Sequence, residues 1–306
     1  PTPSWTIRFP APNEGSCTIG PGRAGIGTLS YRHRRHRGGA MAGAMAEDNS
    51  YMMSRAATDR ESARLRSIQD ASDRFTIQHL EATGVGEGWR CLEVGAGGGS
   101  IASWLGERVG AAGSVVATDL DLQRLGDLPG QVEVRRHDIT RDELESAAYD
   151  LVHCRFVLQH LAEPVVALDK MAAAVAPGGW LVVEEGDTGL SELAGAAESA
   201  QASLVLHDLF TRWTAAGVLD SYLGRRLPGL VAALGLDPFG VDVFTPTGGP
   251  GHPAYETFRL AWPSTRAAAA AAGIVEDDLH CVDQAFANST LIVGITTFAV
   301  WGQLPR

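Results

Sequence analysis

Residues 90–100 read Arg90-Cys91-Leu92-Glu93-Val94-Gly95-Ala96-Gly97-Gly98-Gly99-Ser100. An apolar run, Arg90–Val94, gives a short buried strand. Four glycines in the next five positions end it, and a helix is expected from Ser100 to about Val109. Missing Cβ atoms let the backbone turn sharply and let a ligand approach it. A helix N-terminus adds partial positive charge and free N–H donors. Such a turn holds a nucleotide or a nucleoside-linked carboxylate.

Outward from this turn, strands and helices alternate. Upstream, residues 57–82 read as a helix, with Leu65, Ile68, Ala71, Phe75, Ile77 and Leu80 as apolar positions. Downstream come strands at Ser114–Thr118, Val132–Arg135 and Tyr149–Cys154. A helix is expected from about Val157 to Val175, with a break at Pro164, and a fifth strand at Trp180–Glu184 after the Pro177-Gly178-Gly179 turn. This rhythm predicts an α/β fold: a doubly wound, mostly parallel seven-stranded sheet. After Glu185 the pattern changes. Helices are expected at 191–219, 221–234 and 254–272, a short strand at Val241–Thr245, a loop at 246–252 and a final strand at Leu291–Trp301. The late helices are expected to cover the sheet. The divisions are therefore a disordered or non-native tail at 1–44, a helical cap at 45–88 and a cofactor-binding core at 89–190. A helical cover with a late strand forms the substrate pocket at 191–290, and a last sheet strand occupies 291–306.

Two ligand classes compete for the glycine turn. A dinucleotide fingerprint, GxGxxG, needs glycine five residues after Gly95, and Ser100 stands there. The pattern is GxGxG, preceded by the acid Glu93. At this point the sequence resembles the class I methyltransferases that use S-adenosyl-L-methionine, in particular bacterial members acting on small molecules. The first motif of that family is [DE]xGxGxG. The likeness continues in order: Asp119 ends the second strand, Asp138 follows the third, and Ala176-Pro177-Gly178-Gly179 precedes the fifth. It covers residues of about 50–186 well and the last third loosely.

The resemblance implies a role for each matching residue. Gly95, Ala96, Gly97 and Gly99 would meet the cofactor's methionine portion with their backbone. Glu93 would orient its amino group, directly or through water. Asp119 would accept from both ribose hydroxyls, and Leu120 would lie on the adenine face. Asp138 would accept from the adenine amino group while Ile139 donates its N–H. Arg155 and Phe156 would line the sulfonium pocket. Tyr51, with Glu61, Arg64 and Leu65, resembles an N-terminal gate. The product would be S-adenosyl-L-homocysteine. Two other readings stay open: an NAD(P)-dependent oxidoreductase on a similar sheet, and a non-catalytic cofactor-binding paralogue.

Methyl transfer is an in-line displacement, so positioning and desolvation supply most of the rate. A base is needed only where the acceptor loses a proton. Candidates are His160, expected on the helix after the fourth strand, His207 on a cover helix and His252 in the Gly-Pro loop. Glu184 and Glu185, at the end of the fifth strand, are candidates to hold a substrate amine or act as base. His153 faces a buried strand and is read as structural. Phe210, Trp213, Tyr222, Tyr255, Phe258 and Trp262 fit an apolar small-molecule pocket or plain helix packing. The segment after the fourth strand, Cys154-Arg155-Phe156-Val157, argues against methylation of amino groups of DNA bases or glutamine.

Composition bounds these readings. Apolar residues at 45% and charged residues at 20% mark a globular chain. The net charge is −11, although residues 1–44 hold six arginines and one acid, so the body is strongly acidic. Nucleic acid is therefore an unfavourable partner. The four cysteines show no metal-ligand spacing and read as free thiols in a cytoplasmic protein. No apolar run is long enough to span a membrane. Arginine, alanine and glycine bias points to a bacterial gene of high G+C content. Met41 and Met45 are alternative translation starts. The oligomeric state stays open, with a homodimer as one option.

Overall fold

The computed structural model describes residues 58–306. Expectations for the 1–44 tail and for Tyr51 lie outside the described residues. Helix α1 spans Thr58–Ala82, followed by β1 (Arg90–Val94), α2 (Ser100–Val109), β2 (Ser114–Asp119), β3 (Val132–Arg136) and β4 (Tyr149–Arg155). Then come α3 (Pro164–Ala174), β5 (Val175–Asp187), β6 (Glu192–Ala194), α4 (Ser199–Ala216), α5 (Leu223–Ala232) and β7 (Phe239–Phe244). The chain closes with β8 (Thr247–Gly248), α6 (Pro253–Ala271), α7 (Glu276–Asn288), β9 (Leu291–Val293) and β10 (Thr296–Gln303).

The main sheet has seven strands in the order β3-β2-β1-β4-β5-β10-β7. Strands β1 to β5 are parallel to their neighbours, and β10 runs antiparallel between β5 and β7. The doubly wound sheet is as expected. Its central strands are apolar on both faces, because each face is covered. On one side Leu92, Val94, Val152, Leu181 and Val183 pack with Leu168 and Met171 of α3 and Leu223 and Leu227 of α5. On the other, Cys91, Val115, Leu151 and Val182 pack with Leu80 of α1 and Ile101, Leu105 and Val109 of α2. The strand order reverses between β1 and β4. Ligands of open α/β sheets bind at such a switch point, beyond the carboxyl ends of the strands.

Several elements depart from the sequence expectation. The segment after β4 is a 3₁₀ turn, Leu158–His160, and α3 begins only at Pro164. Proline suits the first helical turn and pushes the residue before it out of helical geometry. Strand β5 begins at Val175, which pairs with Tyr149 before the register shifts and Trp180 joins beside Leu151. The run 291–301 is two strands, not one. Residues 291–293 join β6 and β8 in a separate three-stranded sheet, and 296–303 join the main sheet. Gly294 is the pivot: its N–H donates to the Pro246 carbonyl at 2.9 Å, and a Cβ there would stand 2.6 Å from that oxygen. Helix α7 is absent from the sequence expectation. Its face Leu279, Val282 and Ala285 packs with α4 and α6 residues, including Leu206, Phe210, Trp213 and Trp262, to form the cover.

Candidate active site

A cavity of about 680 Å³ opens beyond the ends of β1, β2 and β4. That is within the usual range for small-molecule sites, roughly 300–1,000 Å³. One half is built from the glycine turn and the strand-end acids. Gly95 has φ 76, and a Cβ there would meet Val157 Cγ2 at 2.2 Å, so only glycine lets β1 turn this close to the chain leaving β4. Asp119 Oδ2 accepts the Gly97 N–H at 2.8 Å, and Oδ1 accepts the Asp121 N–H at 2.9 Å. Burial pushes the Asp119 carboxyl above its ordinary value, and these backbone donors act in the opposite direction.

Gly95, Ala96, Gly97, Asp119, Leu120, Asp138, Ile139, Arg155 and Phe156 all line this cavity, as does Glu93. Gly99 is not on its wall; it is the N-cap of α2 with φ 85. Leu120 is 47% exposed, which leaves its side chain open to a flat ligand. Asp138 Oδ1 is already shared by the Thr140 N–H and O–H at 2.9 and 2.6 Å. Burial raises the Asp138 carboxyl, but these bonds and Arg141 hold it below its ordinary value. The Arg155 guanidinium turns away from the turn region, donating to Thr76 Oγ1 at 2.7 Å and Asp73 at 2.8 Å on α1. Phe156 has φ 57, a left-handed backbone costing an aromatic residue roughly 1–3 kcal/mol and typical of ligand sites. Its N–H is held by the Glu184 carbonyl at 2.9 Å.

The proton-accepting candidates separate. His160 is on the cavity wall, in the 3₁₀ turn after β4 and not in a helix as expected. Burial, reinforced by Arg64, pushes its imidazole down to about 3, so it is neutral at physiological pH. His207 is not on the wall; its Nε2 reaches the Ser191 carbonyl at 2.9 Å. His252 is not on the wall either. It caps α6, with Nδ1 accepting the Ala254 N–H at 3.2 Å. Glu185, expected at an accessible strand end, is fully buried behind the cavity wall and is not among its lining residues. Its carboxylate accepts the N–H groups of Val157 at 2.9 Å, Leu158 at 2.6 Å and Gln159 at 3.4 Å. It thereby shapes the turn that carries His160. Burial outweighs these donors and pushes the carboxyl up to about 8. Glu184 is also fully buried, bonded to Thr76 and His79.

The other half of the cavity is apolar. Leu206, Phe210 and Trp213 of α4, Phe258 and Trp262 of α6 and Phe286 of α7 line it. Tyr222 and Tyr255 are not among the lining residues; the Tyr255 hydroxyl donates to the Phe286 carbonyl at 2.7 Å. Phe286 was not singled out in the sequence. The acidic start Glu276-Asp277-Asp278 followed by Leu279, Val282 and Ala285 was the available helix signal. Gln69 and the buried Glu61–Arg64 ion pair, 2.6 Å, bring α1 onto the same wall.

Comparison with known proteins bears on this site. A family model described as a methyltransferase domain matches residues 45–236. The methyltransferase str2 of Strobilurus tenacellus is 30% identical over 148 residues, covering 48% of this chain and 53% of that one. A ubiquinone biosynthesis O-methyltransferase of Alkalilimnicola ehrlichii is 35% identical over 101 residues, covering 31% and 41%. The chain thus spans about half the length of the curated relatives it matches. The solved structure of a candidate methyltransferase from Bacillus halodurans superposes with a TM-score of 0.52 at 13% identity, covering 75% of this chain and 98% of that one. That likeness is one of fold.

Proposed function

This chain belongs to the methyltransferase-domain family, and from that premise we propose that it transfers a methyl group from S-adenosyl-L-methionine to a small, largely apolar organic molecule. The cofactor supplies an activated methyl on sulfur when bound, and S-adenosyl-L-homocysteine is left. The observation that carries this reading is the division of one cavity into two halves: strand-end acids and turn amides against an aromatic wall.

The residues present fit the cofactor's chemistry. The turn presents bare backbone to the cavity: at Gly97 a Cβ would meet nothing nearer than Leu65 Cδ2 at 3.9 Å, so the space beside it is open. Asp119 stands at the end of β2 with a carboxylate suited to vicinal hydroxyls. Glu93 offers a buried acid to a cationic amino group. Leu120 and Ile139 give adenine an apolar bed, and the Asp138 oxygens offer acceptors beside it. The aromatic half excludes water and holds the acceptor against the methyl donor, which is where an in-line displacement gains its rate.

The relative named for O-methylation in ubiquinone biosynthesis supports a hydroxyl acceptor. A neutral His160 orients that hydroxyl; so low a basicity suits it to aligning the O–H more than to keeping the proton. The acidic body supports a partner other than nucleic acid. No helix among the described residues is long and apolar enough to cross a membrane. The free thiols of Cys91, Cys154 and Cys281 support a cytoplasmic setting.

Thermal melts test the reading. S-adenosylhomocysteine at saturating concentration raises the midpoint, since a ligand that binds only the folded state stabilises it. NAD and NADP leave it unchanged. The opposite pattern sinks the proposal.

A further inference from the structure

A row of buried acids and imidazoles crosses the sheet under α1, beginning at the cavity. Glu93 on β1 and His153 on β4 are register partners, and His153 Nδ1 donates to Glu93 Oε2 at 2.6 Å. Glu93 is 3% exposed and His153 is fully buried. The other ring nitrogen, Nε2, has no hydrogen-bond partner and lies 4.0 Å from Glu184 Oε2 on β5. Glu184 Oε1 in turn meets His79 Nδ1 of α1 at 3.1 Å, and His79 Nε2 meets Asp242 Oδ2 of β7 at 3.4 Å. Ala299 of β10 is the register partner of both Glu184 and Asp242. The His79 ring stacks on Trp301, two residues further along β10, with ring centroids 4.9 Å apart. The Asp242 side chain is 59% exposed, so the row ends in solvent.

We propose that His153 is a positioning residue for the cofactor, holding the Glu93 carboxylate at the cavity wall and coupling its charge through Glu184 and His79 to Asp242 at the surface. The inference rests on the proposed function, in which Glu93 meets the cofactor's amino group. Without His153 the buried Glu93 carboxyl loses the side-chain partner that fixes it at the cavity wall, and a buried polar group without a partner is costly. His153 Nε2 stands 4.0 Å from Glu184 Oε2, beyond hydrogen-bond reach, so the coupling along the row is electrostatic and acts at short range in a buried setting. Among the described residues, other groups face the row from α1, β1 and β4. Thr76 donates to Glu184 from α1, and Arg155 of β4 binds Thr76 and Asp73. The Cys91 and Cys154 thiols, both facing Glu93, are held neutral because burial pushes them up. The Glu61–Arg64 pair stands on the cavity wall.

The test is titration calorimetry of the full chain with S-adenosylhomocysteine from pH 6 to 8, in pairs of buffers with different ionisation heats. The wild type is expected to exchange protons on binding. His153→Leu, which leaves Glu93 unpaired, raises Kd about tenfold or more. His153→Asn keeps a donor for Glu93, recovers most of that affinity and loses the wild-type proton exchange. Asp242→Asn, at the exposed end, changes the proton count while circular dichroism shows an unchanged fold. Should His153→Leu fail to fold, the two amide variants decide. Wild-type proton counts in both of them, or a wild type that binds without exchanging protons, overturns the proposal. A wild type that does not bind S-adenosylhomocysteine overturns the functional reading instead.

Discussion

Asp119 Oδ2 accepts the Gly97 N–H at 2.8 Å, so the acid that ends β2 holds the glycine turn that ends β1. Two features read separately along the sequence are thus one object. The turn owes its shape partly to the acid, and the acid is aimed by the turn.

Asp119→Asn therefore affects both. An amide keeps one acceptor and replaces the other by a donor that faces a backbone N–H. Hydrogen bonds to charged groups are worth about 1.5–3 kcal/mol, so Kd for S-adenosylhomocysteine should rise roughly 10–100-fold. Asp119→Ala should lose at least as much and lower the melting midpoint by a few degrees, because Gly97 and Asp121 lose their partners. Calorimetry showing wild-type affinity in both variants removes Asp119 from the site.

His160 should not titrate in the physiological range. Its imidazole is pushed down to about 3 by burial and then by Arg64. Ring-proton NMR between pH 5 and 8 should show it neutral throughout. For a hydroxyl acceptor, His160→Ala should slow methyl transfer about 10–100-fold, at or below the bottom of the 10²–10⁴ that general bases contribute. Its rate profile should have the wild-type shape. A wild-type break near pH 6.5 that vanishes in the variant would show a titrating base and reject the neutral-orienter role.

Stability should peak on the acid side of neutrality. The Glu185 carboxyl is pushed up by burial to about 8, so the folded state binds a proton that the unfolded chain releases near pH 4.5. Its contribution is full below the unfolded value and is lost as pH rises towards 8. His79 adds the same sign: burial lowers it, but Glu184 and Asp242 win and raise it, so its contribution is lost as pH rises above about 6.5. Glu184 has the opposite sign. Burial pushes it up, but His79, His153, Arg155 and Thr76 hold it low, so its contribution is lost as pH falls below about 4.5. His160, neutral when folded but protonated in the unfolded chain below about pH 6.5, has that sign too and offsets Glu185 between about pH 4.5 and 6.5. Denaturant melts should give a broad maximum between roughly pH 5 and 6.5. Glu185→Gln should flatten the fall between pH 6.5 and 8, and an unchanged slope there would refute the assignment. Glu185→Ala strands three N–H donors and should cost about 2–5 kcal/mol.

How much was legible depended on whether backbone or packing decided the outcome. Strand β1 and helix α2 were readable residue for residue, because apolar runs bounded by glycines report local geometry. The cavity-lining acids were readable because they sit at strand ends in a fixed order. The cover was not. Leu291–Trp301 is one apolar run, and nothing in its periodicity marks the change of sheet at Gly294, which is set by the Pro246 carbonyl across the fold. His207, His252 and Glu185 had suitable chemistry, but their partners are backbone groups brought in by tertiary structure. His153 read correctly as buried. Its role emerges only when Glu93 and Glu184 are placed on either side of it.

Gly95→Ala measures how tightly the turn is packed against the chain leaving β4. The new Cβ would stand 2.2 Å from Val157 Cγ2, far inside contact distance, and φ 76 adds left-handed strain. Overpacking costs about 1–3 kcal/mol, and an alanine in this backbone region about 1–2 more. The sum predicts a loss of roughly 2–5 kcal/mol in denaturant melts. Val157→Ala alone should cost about 1 kcal/mol for the lost methyls. In the double variant the clash is gone and only the backbone strain and the missing methyls remain, so the effects should fall short of additive by 1 kcal/mol or more. Residues in contact couple by such amounts, whereas separated ones add. Additive losses would mean that Val157 moves aside freely and that the turn tolerates a side chain. Affinity for S-adenosylhomocysteine should recover in the double variant in step with stability, since the same displacement of the turn disturbs both.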